Sequence, residues 1–145
     1  MIQAVPALIH RTKTMLPEAF RTGVGQPYND VDVSEGIDRH HYKLVHSVFL
    51  PKVLEPLSGG SIVKMLEKGC RVADLGCGAG VLLRALAERY PKSSFHGFEV
   101  SKQALEKAAY LASSSRLTNI VMHDANEAGE SLGDFRNRFD LVVTL

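Results

Sequence analysis

The residues with the clearest capacity for chemistry lie between positions 72 and 80. The run Val72-Ala73-Asp74-Leu75-Gly76-Cys77-Gly78-Ala79-Gly80 places three glycines where a strand hands over to a helix. Glycine lets the backbone turn sharply and approach a ligand with no Cβ in the way. The N–H groups at the start of the helix face the same point. Asp74 falls at the C-terminal end of the strand, the edge at which open α/β sheets bind ligands. An acid there does not suit a pyrophosphate. It suits a ligand with a cationic amino-acid portion and no phosphates. A dinucleotide fingerprint asks for Gly-x-Gly-x-x-Gly, or Ala in the last place. Here that place holds Val81 and the glycine comes one residue early, at Gly80, which disfavours a nicotinamide-dependent dehydrogenase.

Two further acids are expected at the same sheet edge. Glu99 ends the next strand, roughly 20 residues after the glycine loop, where a carboxylate can accept from both hydroxyls of a ribose; alone, it would read as a solvated turn acid. Asp124 follows the third strand, where its carboxylate could meet an adenine amino group with Ala125 lining the ring. The bland reading of His123-Asp124-Ala125-Asn126 is a turn opened by aspartate.

The elements that must position these residues follow from periodicity and punctuation. Before Gly69 the chain reads as helical and interrupted by loops. Leu16 to Phe20 is a short apolar piece opened by Pro17, and Gly23, Gly25 and Pro27 mark a loop. Ser34 to Phe49 reads as a helix with Ile37, His41, Leu44, Val45, Val48 and Phe49 on one face. Pro51 starts a new segment. Ser61 to Lys68 is a short helix with Ile62, Met65 and Leu66 inward, stopped by Gly69. Beyond Gly69 strands and helices alternate: strands at 71–75, 95–99, 120–123 and 139–145, and helices at 81–90 and 101–114, the latter capped by Ser101. Such alternation implies right-handed crossovers and a parallel sheet.

The composition agrees with a soluble globular domain. The 145 residues are 45% hydrophobic and 23% charged, with a formal net charge of +1. Neither a nucleic-acid footprint nor attraction to an acidic lipid surface is expected from that balance. Cys70 and Cys77 flank one predicted strand and lack zinc-type spacing, so reduced thiols and a cytoplasmic location are expected. Met1 to His10 lacks the features of a signal peptide, and no stretch has the length of a membrane span.

Other candidates are set aside on spacing. His40 and His41 are neighbours on a helix and His46 stands at i+4 from neither, so no metal site is expected. A general-base role for one of them ranks below a partly buried or solvated helix histidine. Tyr28 could reach a ligand or simply pack. Arg136-Asn137-Arg138 reads as a solvated turn, and Ser113-Ser114-Ser115 as a helix end. No catalytic base is legible.

Taken in order, Ala73-Asp74-Leu75-Gly76-Cys77-Gly78-Ala79-Gly80, Phe98-Glu99 and Asp124-Ala125 resemble the first three motifs of the class I, Rossmann-like, S-adenosylmethionine-dependent methyltransferases. Phe20 to Tyr28 resembles the lead-in of a subgroup that carries an N-terminal winged-helix domain, which is absent here. The resemblance implies an α/β fold with spatial strand order three-two-one-four and S-adenosyl-L-methionine as cofactor. It implies that Asp74, Gly76, Cys77, Gly78 and Gly80 support the methionine portion. Glu99 would hold the ribose and Asp124 with Ala125 the adenine, and Val100 would also belong to the cofactor site. Residues 1–68 would be a helical lead-in covering the cofactor, and residues 69–145 the N-terminal part of the methyltransferase domain. A complete domain of this family has more strands than the four read here, and its acceptor-side motif would begin after Leu145, so a fragment is expected. The expected function is methyl transfer to a small-molecule acceptor. A non-catalytic module that retains the fold is the alternative, with a dehydrogenase behind it.

Overall fold

The computed structural model describes residues 4–24, 31–128 and 135–145. By contacts the chain forms two compact units, Met1–Tyr42 and Lys43–Leu145. The first contains helix α1 (Ala4–Thr22) and most of α2 (Val31–Leu44). Sequence punctuation predicts a break at Pro17, yet α1 runs through it. One missing backbone donor weakens a helix without ending it. Gly23 ends it instead, with φ +69° and its N–H bonded to the carbonyl of Ala19 at 2.9 Å, the left-handed stop that glycine adopts without strain. Tyr28, and most of the glycine-proline loop around it, lies outside the described residues.

In the second unit the break expected at Pro51 is absorbed in a different way. The helical chain widens into π turns over Val45–Leu54. Proline would clash with the carbonyl four residues back in an α-helix, and the wider turn carries the chain past it. The inward positions change accordingly. Val45, Leu50 and Leu54 are buried while Val48 is exposed, a spacing of five and four in place of the helical three and four. Helix α3 (Ser61–Lys68) buries Leu66, with Ile62 and Met65 partly buried against the core. Gly69 terminates it at φ +104°, where a Cβ would sit 2.9 Å from the carbonyl oxygen of Lys92.

Four parallel strands follow: β1 (Arg71–Leu75), β2 (Ser94–Glu99), β3 (Ile120–Asp124) and β4 (Leu141–Val143), in the order β3-β2-β1-β4. This is the expected three-two-one-four arrangement. Helices α4 (Val81–Arg89) and α5 (Lys102–Ser114) make the crossovers, and a short α6 (Ala125–Ala128) follows β3. Ser101 caps α5 by accepting from the N–H of Ala104 at 3.3 Å. Val72, Phe95, Leu83, Leu86, Leu66 and Val45 form the centre of the core. Buried Ser93 ties three elements together: it donates to the carbonyl of Leu66 at 2.7 Å and accepts from the N–H of Cys70 at 3.0 Å. Strand β4 is shorter than predicted. Phe139 turns away to stack on other rings, and Asp140 instead exchanges two hydrogen bonds with the backbone of Arg71, both 2.8 Å long.

Gly97, in the middle of β2, explains how α4 and the glycine loop seat on the sheet. A Cβ there would meet Leu83 at 2.6 Å, the Cys77 sulfur at 2.7 Å and the Met122 sulfur at 2.9 Å. Only a residue without a side chain lets helix and loop close on the strand. Among the described residues no helix is long and apolar enough to cross a membrane.

Candidate active site

The register of the sheet brings the three sequence-predicted acids to one edge and one face. Asp74 pairs with Gly97 across β1 and β2, and Glu99 with Asp124 across β2 and β3. Paired residues of parallel strands share a face, and Asp74 and Glu99 are two steps apart along it. The glycine loop rises from the end of β1 beside them.

The loop is held mainly by the end of β2. The N–H groups of Gly76 and Cys77 both donate to the carbonyl of Phe98, at 2.8 and 3.2 Å, and Gly80 donates to Cys77 at 2.9 Å. The N–H of Gly78 donates to Oε2 of Glu99 at 2.9 Å. The amides of Gly76, Cys77 and Gly78 are thus spent inside the protein. Space is what the loop offers. Gly76 and Gly78 have φ of +76° and +53°, and a Cβ built on either meets no atom within 4 Å. Gly80, at φ +70°, is closed in by Met122 at 3.1 Å and Ala108 at 3.4 Å. Gly76 and Gly78 thus border open space, while Gly80 serves packing.

Three carboxylates have different surroundings. Asp74 is 3% exposed. Burial, assisted by the charge of Glu99, raises its carboxyl from 3.8 to about 6. Glu99 is more open and well bonded: Oε1 accepts from the N–H groups of Val100 and Ser101 at 2.8 and 2.9 Å, and Oε2 from Gly78. Asp124 accepts on Oδ1 from the backbone and side-chain amides of Asn126 at 2.9 and 2.8 Å, while Oδ2 lies 3.9 Å from Nζ of Lys102. Its turn-forming role is therefore present, with one oxygen left over. Val100 is exposed and Ala125 half-buried. The buried Cys77 thiol is pushed up to about 12 by burial first and then by the charges of Asp74 and Glu99, so it is an inert lining group at neutral pH. Cys70 is likewise a buried thiol. Among the described residues no group of three metal-ligating side chains gathers.

The sequence did not single out what lies on the other face of the same strands. His96 on β2 and His123 on β3 approach to 3.0 Å between Nδ1 and Nε2. Phe98 stacks on His123, Phe135 and Phe139 meet the pair edge-on, and the Arg71 guanidinium lies 5.5 Å from the Phe139 ring. The signal was the alternation His96-x-Phe98 opposite His123, visible only once the register is known. Burial lowers both imidazoles from 6.5, and for His96 the nearby His123 and Arg71 add to the effect. Below a pH of about 6.5 the unfolded chain therefore binds protons that the native pair resists, and stability falls as the pH drops. Melting temperature should fall more between about pH 7.5 and about pH 5.5 in the wild type than in His123→Gln. Asp74 acts in the opposite direction but equally in both proteins. Identical pH dependence would dismiss the pair as a titrating unit.

Known proteins place this arrangement. Over 41 residues the chain is 46% identical to the trans-aconitate 2-methyltransferase of Pseudomonas paraeruginosa, a stretch covering 28% of this chain and 15% of that enzyme. Over 73 residues it is 33% identical to ribosomal RNA small subunit methyltransferase C of Haemophilus ducreyi, covering 50% of this chain and 21% of the relative. The matched stretches thus span about a fifth or less of these relatives' length. An O-methyltransferase family protein from Burkholderia thailandensis superposes with a TM-score of 0.57 at 14% identity, covering 82% of this chain and 36% of that one, a likeness of fold. Residues 66–145, more than half of the chain, match the family model described as a methyltransferase domain. The glycine loop, the strand order and this match together place the chain in the class I methyltransferase-domain family.

Proposed function

We propose that this chain binds S-adenosyl-L-methionine at the C-terminal edge of its sheet and forms the cofactor-binding part of a methyltransferase acting on a small-molecule acceptor. The observation that carries the reading is a buried acid, Asp74, beside a loop whose first two glycines border empty space. A buried carboxylate is costly unless a cation joins it. The ammonium of a methionine portion is such a cation, and the space over Gly76 and Gly78 is room for its chain. In this reading Cys77 and Gly80 fix the loop from below, Glu99 receives the ribose, Val100 and Ala125 flank the adenine and Asp124 accepts from its amino group. S-adenosylmethionine supplies a methyl group made electrophilic by a sulfonium. The protein's contribution is chiefly to hold the two reactants in line, a positioning effect.

A small acceptor is supported by the near-neutral charge, which offers little electrostatic attraction to a polyanion, and by the name of the trans-aconitate relative. The ribosomal RNA relative makes an RNA acceptor the competing outcome. Calorimetric titration with S-adenosylmethionine and with NAD in parallel tests the cofactor. The first should bind and the second should not. Gly78→Val puts a branched side chain into the open space and strains the backbone at φ +53°; it should bind at least about tenfold more weakly, with a thermal melt alongside to check that it folds. Binding of NAD alone would replace the reading with a dehydrogenase.

A further inference from the structure

We propose that Asn126 is a positioning residue that gives the site its nucleobase selectivity, an inference that rests on the cofactor reading above. Asn126 is at the start of α6, directly after the two residues assigned to the adenine. Its side-chain amide nitrogen donates to Oδ1 of Asp124 at 2.8 Å and to the carbonyl of Val100 at 3.0 Å. Its backbone N–H donates to the same Oδ1 at 2.9 Å. One primary amide has two donor hydrogens, and here one is given to each strand end.

Two consequences follow for recognition. With Oδ1 taken twice, the Asp124 carboxylate is pinned against rotation and presents Oδ2 as its remaining acceptor. Lys102, at 3.9 Å and largely exposed, reaches that oxygen only loosely. In addition, the clamp ties Val100, directly after β2, to Asp124, the last residue of β3, and so fixes the spacing of the two strand ends. An acceptor held in place favours a ring that offers an amino group and disfavours one that offers a carbonyl. Aspartate at position 126 would oppose a second carboxylate to Asp124 and to the Val100 carbonyl, and alanine would release both. Either variant keeps the backbone bond that begins α6.

The experiment compares two ligands that differ at one position of the base: S-adenosylhomocysteine, with a 6-amino group, and S-inosylhomocysteine, with a 6-oxo group. Affinities are measured by calorimetry on the full chain for wild type, Asn126→Ala and Asn126→Asp, with thermal melts alongside. The wild type should prefer the amino ligand by about tenfold or more, and Asn126→Ala should reduce that preference to about threefold or less. Asn126→Asp should weaken the amino ligand further. The preference is a ratio taken on one protein, so a general loss of folded material cancels from it. A wild type that binds neither ligand overturns the cofactor reading and this proposal together. A wild type that binds both equally, or an Asn126→Ala protein with undiminished preference, overturns the proposal alone.

Discussion

Replacing Glu99 with alanine is expected to weaken S-adenosylmethionine binding by about ten- to a hundred-fold and, in the cofactor-free protein, to lower the melting temperature by several degrees. Both effects come from one carboxylate. Oε1 already accepts two backbone N–H groups and Oε2 accepts one. A carboxylate has about four acceptor positions, so roughly one remains, on Oε2, for a ribose hydroxyl. A single charge-assisted hydrogen bond of about 1.5–3 kcal/mol accounts for the affinity loss. The three backbone bonds staple the glycine loop to the end of β2. Losing them removes about 1–3 kcal/mol after water has replaced part, and each kcal/mol lowers the melting temperature by about 3–6 °C in a chain of this size. The sequence alone, with Glu99 drawn as a strand-end acid facing water, predicts unchanged melts. Glu99→Gln retains one acceptor oxygen and should fall between wild type and alanine in both measurements. Isothermal titration and thermal melts on the three proteins decide the matter. Equal affinities would move the ribose elsewhere, and equal melts would mean that water fully replaces the staple.

Asp74→Asn should give the opposite pairing: a more stable protein that binds the cofactor poorly. The folded carboxyl ionises near 6 and the unfolded one near 3.8. Between those values the native state keeps a proton that the unfolded chain has released. Stability therefore drains away as the pH rises through the window, and above 6 the whole penalty is present. About two pK units correspond to about 3 kcal/mol; the neutral amide must still satisfy its own hydrogens, so a gain of about 1–2 kcal/mol at pH 7.5 is expected. The gain should vanish by about pH 3, below both values, where the wild-type carboxyl is protonated in both states. S-adenosylmethionine affinity should drop at least about tenfold, because the cation loses its buried partner. In the wild type that affinity should rise from about pH 5 to about pH 7 as Asp74 ionises. Melting curves across pH, with calorimetry at two pH values, test all of this. An asparagine variant that is less stable at pH 7.5, or binds as well as wild type, removes Asp74 from the role.

Much of the fold was legible because local signals agreed. The Asp-x-Gly-x-Gly-x-Gly run, the Ser101 cap and the strand-helix alternation each fix local geometry through backbone sterics and short-range hydrogen bonds, and the sequence therefore determined the parallel sheet and its site edge. Prolines misled the reading of the first half. Pro17 and Pro51 look like punctuation, but a helix can absorb one lost donor, in α1 by continuing and in Val45–Leu54 by widening to π turns. The short helix α6 and its Asn126 clamp escaped notice because Asp-Ala-Asn reads equally well as a turn. Other matters depend on pairing register and on distance between remote residues. Only the tertiary structure shows that His96 faces His123, and that Gly97 is demanded by Leu83, Cys77 and Met122. The same holds for Glu99, which spends its oxygens on the glycine loop. Which residues cross from one strand to meet another is a property of the assembled sheet. Burial, which sets the ionisation of Asp74, exists only once the core around it has closed.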